Sequence, residues 1–419
     1  MKLFNAFAGK GSWGFILVTM FLNFLGFSII IPILPFLVGE YVHGENAIAL
    51  AVGILLAVYA LCQFIAAPGL GAISDKIGRR PILLISLLGS VVGYVILGIG
   101  GALWVLFLGR IIDGLTGGNI STVFAYVSDI TAPKERGKMF GLIGAAGGFG
   151  FMIGPALGGF LGTISIATPL FAAAGITLLN VLWGYFVLPE SLPHHRRTAD
   201  FSLRHLNPLA PLQYVFALKP MRLLFVAAFL LFFALNAMYG NASVFMKDVF
   251  SWGTEQIGLL LFIVGVVDVF SQGYLVRRLL PLYNEEKLAT WGLALMICGF
   301  FIAASTAYIS SVALLYAGII ILNIGDGLFE PTTNTIISTM VDHSMQGKVQ
   351  GAYQGIQSVA RVLGPLFADW IYAYGRALPY GTEALIAVLA LFVLVTALPA
   401  VKLHRHTVVQ AEPEVFPAA

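Results

Sequence analysis

The sequence predicts an all-α membrane protein, with twelve transmembrane helices in two six-helix pseudo-symmetric bundles. Three observations carry this. First, hydrophobic residues make up 59% of the 419 residues and charged ones only 10%, against about 25% charged in soluble domains. Such a chain cannot cover itself with polar surface, which excludes a soluble enzyme, a disordered chain and a disulfide scaffold. Second, apolar runs near the ~20 residues needed to cross a bilayer recur twelve times. Third, the second half repeats landmarks of the first. The net charge of +3 gives no general basic surface and excludes nucleic acid as a partner. Cys62 and Cys298 both lie in apolar runs, so no disulfide framework is indicated.

In chain order the predicted spans are 12–38, 49–73, 82–99, 102–128, 139–163, 168–189, 221–247, 256–279, 287–307, 312–338, 346–373 and 381–401. The first is too long for a signal-peptide core and lacks a small-residue cleavage site, so it reads as a helix. Twelve crossings return both termini to one side. Nineteen of the 23 Lys and Arg fall on that side. The opposite side holds Lys247 and Arg376, while Arg110 and Arg361 lie inside spans. This asymmetry predicts cytoplasmic termini. The domains follow: a bundle over 1–189, a basic cytoplasmic linker over 190–220 rich in Pro, His and Arg, a second bundle over 221–402, and a cytoplasmic tail over 403–419.

The halves can be superposed in sequence. Asp113-Gly114 in span four matches Asp326-Gly327 in span ten at an offset of 213, as do Asp129 with Asp342 and Asn23 with Asn236. Gly137, Gly141 and Gly154-Pro155 match Gly347, Gly351 and Gly364-Pro365 at an offset of 210. A duplicated six-helix unit predicts a pathway between the halves near mid-bilayer.

The loop after span two reads Gly71-Ala-Ile-Ser-Asp75-Lys76-Ile-Gly78-Arg79-Arg80-Pro81. Gly71 and Gly78 permit close backbone approach, and Asp75 can accept hydrogen bonds from a helix start. The start of span eleven near Gln346 is the expected partner, so that Gly71, Asp75, Gly78, Arg79 and Arg80 form a latch in one conformation. The same basic residues also set topology. In span five, Gly150, Gly154, Gly158 and Gly162 recur every four residues and line one helix face. Small residues let helix backbones touch in lipid, and Pro155 allows a bend.

A charge inside the bilayer costs at least ~2.5–3.5 kcal/mol on insertion scales, so each one calls for a reason. Arg110 and Asp113 share a face of span four and can neutralise each other. They read either as a structural pair or as a proton carrier tuned by its arginine. Span ten sets Asn323, Asp326, Glu330 and Asn334 on one stripe. Two carboxylates four apart repel when both are ionised, which suits a proton carrier and equally a site for a cationic substrate. Asp268 lies near the middle of span eight, with Gln272 one turn on. Arg361 in span eleven can pair with Asp268 or Asp326, while Asp369 reads as solvated at the outer interface. All seven histidines fall outside the spans, which disfavours a histidine relay or metal cluster. No phosphate-binding Gly-x-x-x-x-Gly-Lys-Ser/Thr run is present, so ion-gradient drive without a cofactor is expected.

These residues resemble a known family. Gly71-x-x-x-Asp75-Lys76-x-Gly78-Arg79-Arg80 resembles the signature loop of the major facilitator superfamily, and Gly109-Arg110-x-x-Asp113-Gly114 is similar to its second motif. Gly150, Gly154, Pro155, Gly158 and Gly159 resemble the antiporter motif of drug/proton exporters. Leu188-Pro189-Glu190-Ser191 and Asn207-Pro208-Leu209 are similar to the tetracycline-efflux branch. The resemblance implies the major facilitator fold, a role for Arg110 in proton transfer, and a span-five seam that seals against the other half. That branch carries acids in spans one, three and nine. Here Asn23, Gly93 and the Met296-Ile297-Cys298 stretch stand instead, which argues against a metal-chelated tetracycline as substrate.

The expected function is a proton-coupled antiporter that exports small lipophilic or cationic compounds by alternating access. It would act as a monomer in the bacterial inner membrane. The alternative is a lipid or glycolipid flippase on the same fold. Proton-coupling candidates are Asp113, Arg110, Asp326, Glu330 and Asp268. Pocket candidates are Asn23, Tyr59, Gln63, Asn119, Tyr126, Asn236, Tyr239, Tyr353, Gln354, Gln357 and Arg361, an aromatic and polar set that suits an amphipathic ligand.

Overall fold

The computed structural model describes residues 2–132, 135–197, 219–341 and 345–411. Asp342, Asn207-Pro208-Leu209 and most of the 190–220 linker lie outside the described residues. Among the described residues the chain is helical, with short connections and no strand. In lipid this follows from the backbone itself, because a helix satisfies its N–H and C=O groups internally.

Among the described residues, ten helices are long and apolar enough to cross a membrane. Their order follows the prediction, with two exceptions. Span four splits into Leu103–Gly117 and Ile120–Ile130. At the break, a Cβ on Gly118 would lie 2.9 Å from the Ala67 nitrogen, so span two passes too close for a side chain there. Span eleven, Gln346–Tyr372, is a full-length helix whose sequence is too polar to qualify by composition. Two other spans are interrupted. Span one runs over Lys2–Ile29 and resumes as Leu34–Gly39. Pro32 cannot continue the helical ladder and Pro35 begins the next helix. Span eight runs over Thr254–Phe270, passes through a π turn at Ser271–Leu275 and ends at Val276–Leu279. The remaining spans are Glu45–Ile77, Arg79–Ile99, Arg136–Gly162, Thr168–Val187, Lys219–Phe250, Glu285–Ser305, Val312–Ser338 and Leu378–Ala411. Asn284 and Ser311 cap spans nine and ten by accepting the N–H groups of Lys287 and Leu314.

By contact the chain divides into two units, Met1–Pro208 with Ala242–Gly265, and Leu209–Asn241 with Val266–Ala419. The first unit therefore includes adjoining ends of spans seven and eight as well as spans one to six.

In the first unit, Phe15, Ile16 and Met20 of span one pack with Leu83 and Leu87 of span three, Val123 and Val127 of span four, and Ile143 of span five. Span five lies against span one. A Cβ on Gly150 would run into the Phe21 carbonyl, one on Gly154 into Ser28, and one on Gly158 into the Ile29 carbonyl. Spans three and four meet through Gly93 and Gly109, each 3.0 Å from the other's carbonyl when given a Cβ. Close approach of this kind replaces the hydrophobic drive that lipid removes.

The second unit repeats the scheme. Gly364 of span eleven packs on span seven, its would-be Cβ 2.6 Å from the Ala237 nitrogen, and Pro365 faces Gly240. Spans nine and ten meet through Gly299 and Gly318, with a Gly299 Cβ 2.7 Å from the Gly318 carbonyl. The matched Gly-Pro pairs of the sequence repeat thus make matched contacts, five on one and eleven on seven.

The glycine stripe of span five serves two neighbours. Gly150, Gly154 and Gly158 face span one. Gly159 instead meets the start of span eight, where Thr254 donates to its carbonyl at 3.0 Å and Gly258 lies against it. Gly158→Ala should lower the thermal unfolding midpoint in detergent by the equivalent of about 1–3 kcal/mol of overpacking. Gly148→Ala, with nothing within 4 Å of its Cβ, should leave the midpoint unchanged.

Candidate functional site

Each unit holds a cluster of ionisable side chains near the middle of its helices. In the first, Arg110 is 0% exposed and Asp113 1%. They sit three residues apart on one helix face, with Nη1 to Oδ2 at 3.9 Å. That is an ion pair without a hydrogen bond. The Arg110 guanidinium also lies over the Tyr59 ring, 4.7 Å from its centre. Its three nitrogens have no hydrogen-bond acceptor among the described residues. These five N–H donors remain available to whatever enters the site.

Gly93 explains the position of Asp113. A Cβ at residue 93 would stand 2.8 Å from the Asp113 Cβ. Span three surrenders its side chain there, and span four supplies the carboxylate in that space. Beside this pair lies a polar patch. Asn23 donates to Asn119 at 3.1 Å, and Gln63 donates to the Tyr59 hydroxyl at 3.3 Å and to the Gly117 carbonyl at 3.0 Å. Tyr126 does not join it. This residue is fully buried in the apolar core, and its hydroxyl donates to the Pro189 carbonyl at 3.0 Å, so it ties helix ends together and lines no pocket.

In the second unit, Asp326, Glu330 and Asp268 lie within electrostatic reach of one another. Asp326 is 9% exposed, and its Oδ1 has no partner among the described residues. Helical spacing places Asp326 and Glu330 on one face of span ten, and span eight contributes Asp268, which accepts from Gln272 at 2.9 Å. Glu330 faces Gln357 and Arg361 of span eleven. Arg361 thus addresses Glu330, where the sequence offered Asp268 or Asp326. Tyr239 of span seven donates to Asn323 at 2.7 Å and faces the three acids. Tyr353 packs edge-on against Phe225 and Phe232 and also faces Asp326 and Glu330. Asn334 accepts from Gln350 at 2.6 Å. Asn236 donates to the Phe232 carbonyl of its own helix at 2.8 Å, and Gln354 is exposed. Asp369, expected to be solvated, is instead 0% exposed.

The loop between spans two and three holds a cluster of its own. Asp75 pairs with Arg79 at 2.5 Å, one helical turn on. Arg79 also reaches Asp129 at 3.3 Å and donates to Ser74 at 2.6 Å. The acceptor at the start of span three is Glu190, not Asp75. Its carboxylate takes the N–H groups of Arg79 at 2.8 Å, Arg80 at 3.2 Å and Leu192 at 3.0 Å. Gly78 has φ +116°, and any Cβ there would strike Glu190, so glycine is required on both grounds. Gly71 lies 3.5 Å from the Ser121 hydroxyl by the same measure. Arg80 donates to the Tyr185 carbonyl at 2.5 Å. Sequence reasoning missed Glu190 as a functional residue, although Leu188-Pro189-Glu190-Ser191 had been singled out as a motif. An acid directly after a helix-ending proline was the available signal.

Glu190→Ala should leave three backbone donors without their carboxylate and lower stability by about 0.5–2 kcal/mol, the usual cost of losing a helix cap. Glu190→Gln should retain part of that. Thermal unfolding of the purified variants in detergent measures both.

Comparison with known proteins agrees with this architecture. The Major Facilitator Superfamily profile matches residues 16–365 and 287–417. Tetracycline resistance protein, class C, of Escherichia coli is 35% identical over 363 residues, 85% of this chain and 89% of that protein. Multidrug resistance protein 2 of Bacillus subtilis is 27% identical over 379 residues, covering 87% and 90%. The crystal structure of the human organic anion transporter MFSD10 (TETRAN) superposes with a TM-score of 0.70 at 24% identity, covering 92% of this chain and 99% of that one. The chain belongs to the Major Facilitator Superfamily, beside the tetracycline resistance proteins, and is a transporter rather than an enzyme.

Proposed function

We propose that the protein is a proton-coupled exporter of small lipophilic or cationic compounds, working as an antiporter by alternating access. The observation that carries this reading is the gathering of Asp326, Glu330 and Asp268 opposite a single Arg361 within the helices of the second unit. Three carboxylates and one guanidinium cannot all be ionised in an apolar medium without large cost. The site therefore has two natural states. In one it holds protons, and in the other it releases them and accepts a cationic or polar ligand between Tyr239 and Tyr353. Binding of either partner weakens binding of the other, which is the thermodynamic requirement for exchange. The Arg110–Asp113 pair in the first unit supports the same logic on a smaller scale, since its long separation leaves both partners able to turn to a ligand.

The names of relatives support drug export, being tetracycline and multidrug resistance proteins. Asn23 and Gly93, standing where the tetracycline branch has acids, favour a substrate that is not chelated to a metal. On this reading the chain sits in the bacterial inner membrane as a monomer with both termini in the cytoplasm. No cofactor takes part, and the proton gradient supplies the energy, about 1.4 kcal/mol per proton per pH unit.

Purified protein in vesicles should expel a lipophilic cationic dye only when a pH gradient is imposed. Asp326→Asn should reduce gradient-driven efflux to background while dye binding persists, and Asp113→Asn should uncouple in the same way. Dye movement that ignores the gradient would overturn the reading. Movement of a labelled phospholipid in place of the dye would replace it with lipid translocation.

A further inference from the structure

The transport reading leaves one group of buried ionisable residues unused. At the turn joining spans eleven and twelve, Asp369 and Glu383 are both 0% exposed. Asp369 lies one turn before the end of span eleven at Tyr372, and Glu383 just beyond the first turn of span twelve. Glu383 lies within electrostatic reach of Asp369. Asn241 of span seven, also 0% exposed, donates its amide to Asp369 Oδ1 at 2.5 Å. Four oxygens then remain without a hydrogen-bond partner among the described residues: Asn241 Oδ1, Asp369 Oδ2, and Glu383 Oε1 and Oε2. Native structures rarely leave buried polar atoms in that condition. Two adjacent carboxylates in apolar surroundings repel and are unsolvated when both are ionised, and a single proton relieves both faults. It removes one charge and supplies the donor that the oxygens lack.

The ionisable groups facing the pair are Tyr380 from span twelve and Tyr372 from span eleven, neither of which brings positive charge. Arg376 in the connecting turn is exposed. From span seven the facing group is the neutral Asn241, and Lys247 further along that helix lies over the Phe36 ring.

We propose that Asp369 and Glu383 form a second proton-binding site, a carboxyl pair sharing one hydrogen ion, with Asn241 orienting Asp369. The proton lowers the charge held at the junction of spans eleven and twelve, while Asn241 fastens span seven to Asp369. Its loss leaves two neighbouring anions that push the junction apart. The site is distinct from the carboxylates of span ten and does not depend on which of those couples transport.

Infrared difference spectra of the purified protein between acid and alkaline pH, in H2O and D2O, provide the test. The wild type should show several protonated-carboxyl C=O components, one of which Glu383→Gln and Asp369→Asn each remove and Asp326→Asn leaves in place. Because the folded state holds the proton, stability is greatest at low pH and falls as pH rises and the proton leaves. The thermal midpoint of the wild type should therefore drop toward alkaline pH, and that slope should flatten in Glu383→Gln and Asp369→Asn. A C=O spectrum that both amide variants retain in full, with no component lost, would overturn the proposal. So would a midpoint at fixed pH that rises in sodium over choline for the wild type and not for Glu383→Gln, which would make the site one for a metal cation. Should the amide variants fail to fold, Asn241→Leu, which removes only the donor to Asp369 Oδ1, should shift the same C=O component, and an unshifted spectrum would overturn the proposal.

Discussion

Hydrocarbon will not solvate a charge, and this constraint orders the rest of the molecule. Every ionisable side chain placed among the helices must be paired, protonated or held ready for a ligand. Arg110 and Asp113 meet it by mutual proximity and by the face of the Tyr59 ring. The acids around Asp326 meet it only in part, with three carboxylates facing one arginine. A structural role would have called for balance. The imbalance leaves the second cluster with more carboxylate than the facing arginine can offset, while the first sets one acid against one arginine.

The same solvent sets how the helices hold together. Leu against Leu gains little over Leu against lipid, so stability rests on close backbone approach. Glycine provides it at each of the contacts described: span five on span one, eleven on seven, three on four, and nine on ten. Gly93 shows how packing and chemistry share one residue. By giving up its side chain it lets span four come close, and it opens the space that the Asp113 carboxylate fills.

At the turn between spans two and three the governing quantity is different. Here the backbone of span three starts with unpaired donors, and Glu190 from the end of span six reaches across to accept them. Arg79 bridges Asp75 and Asp129, so spans two, three, four and six are joined at a single point. Charge in this loop orders helix ends as much as it sets topology. The motif was legible in the sequence, but its wiring was not, because Glu190 lies 111 residues away from Arg79 in the chain.

Composition and periodicity were enough, on their own, to establish a helical membrane protein, its chain order and its internal repeat, because lipid permits so few other solutions for a chain this apolar. Local spacing also placed Arg110 beside Asp113 and Asp326 beside Glu330, since residues three or four apart must share a helix face. What lay beyond one helix was decided by tertiary structure alone: Arg361 facing Glu330, Gly150 facing span one, Tyr126 in the core, and Asp369 buried beside Glu383 and Asn241. These depend on how each helix is rotated about its own axis and on which neighbour it meets. Hydropathy is nearly uniform around such helices, so it carries little record of either.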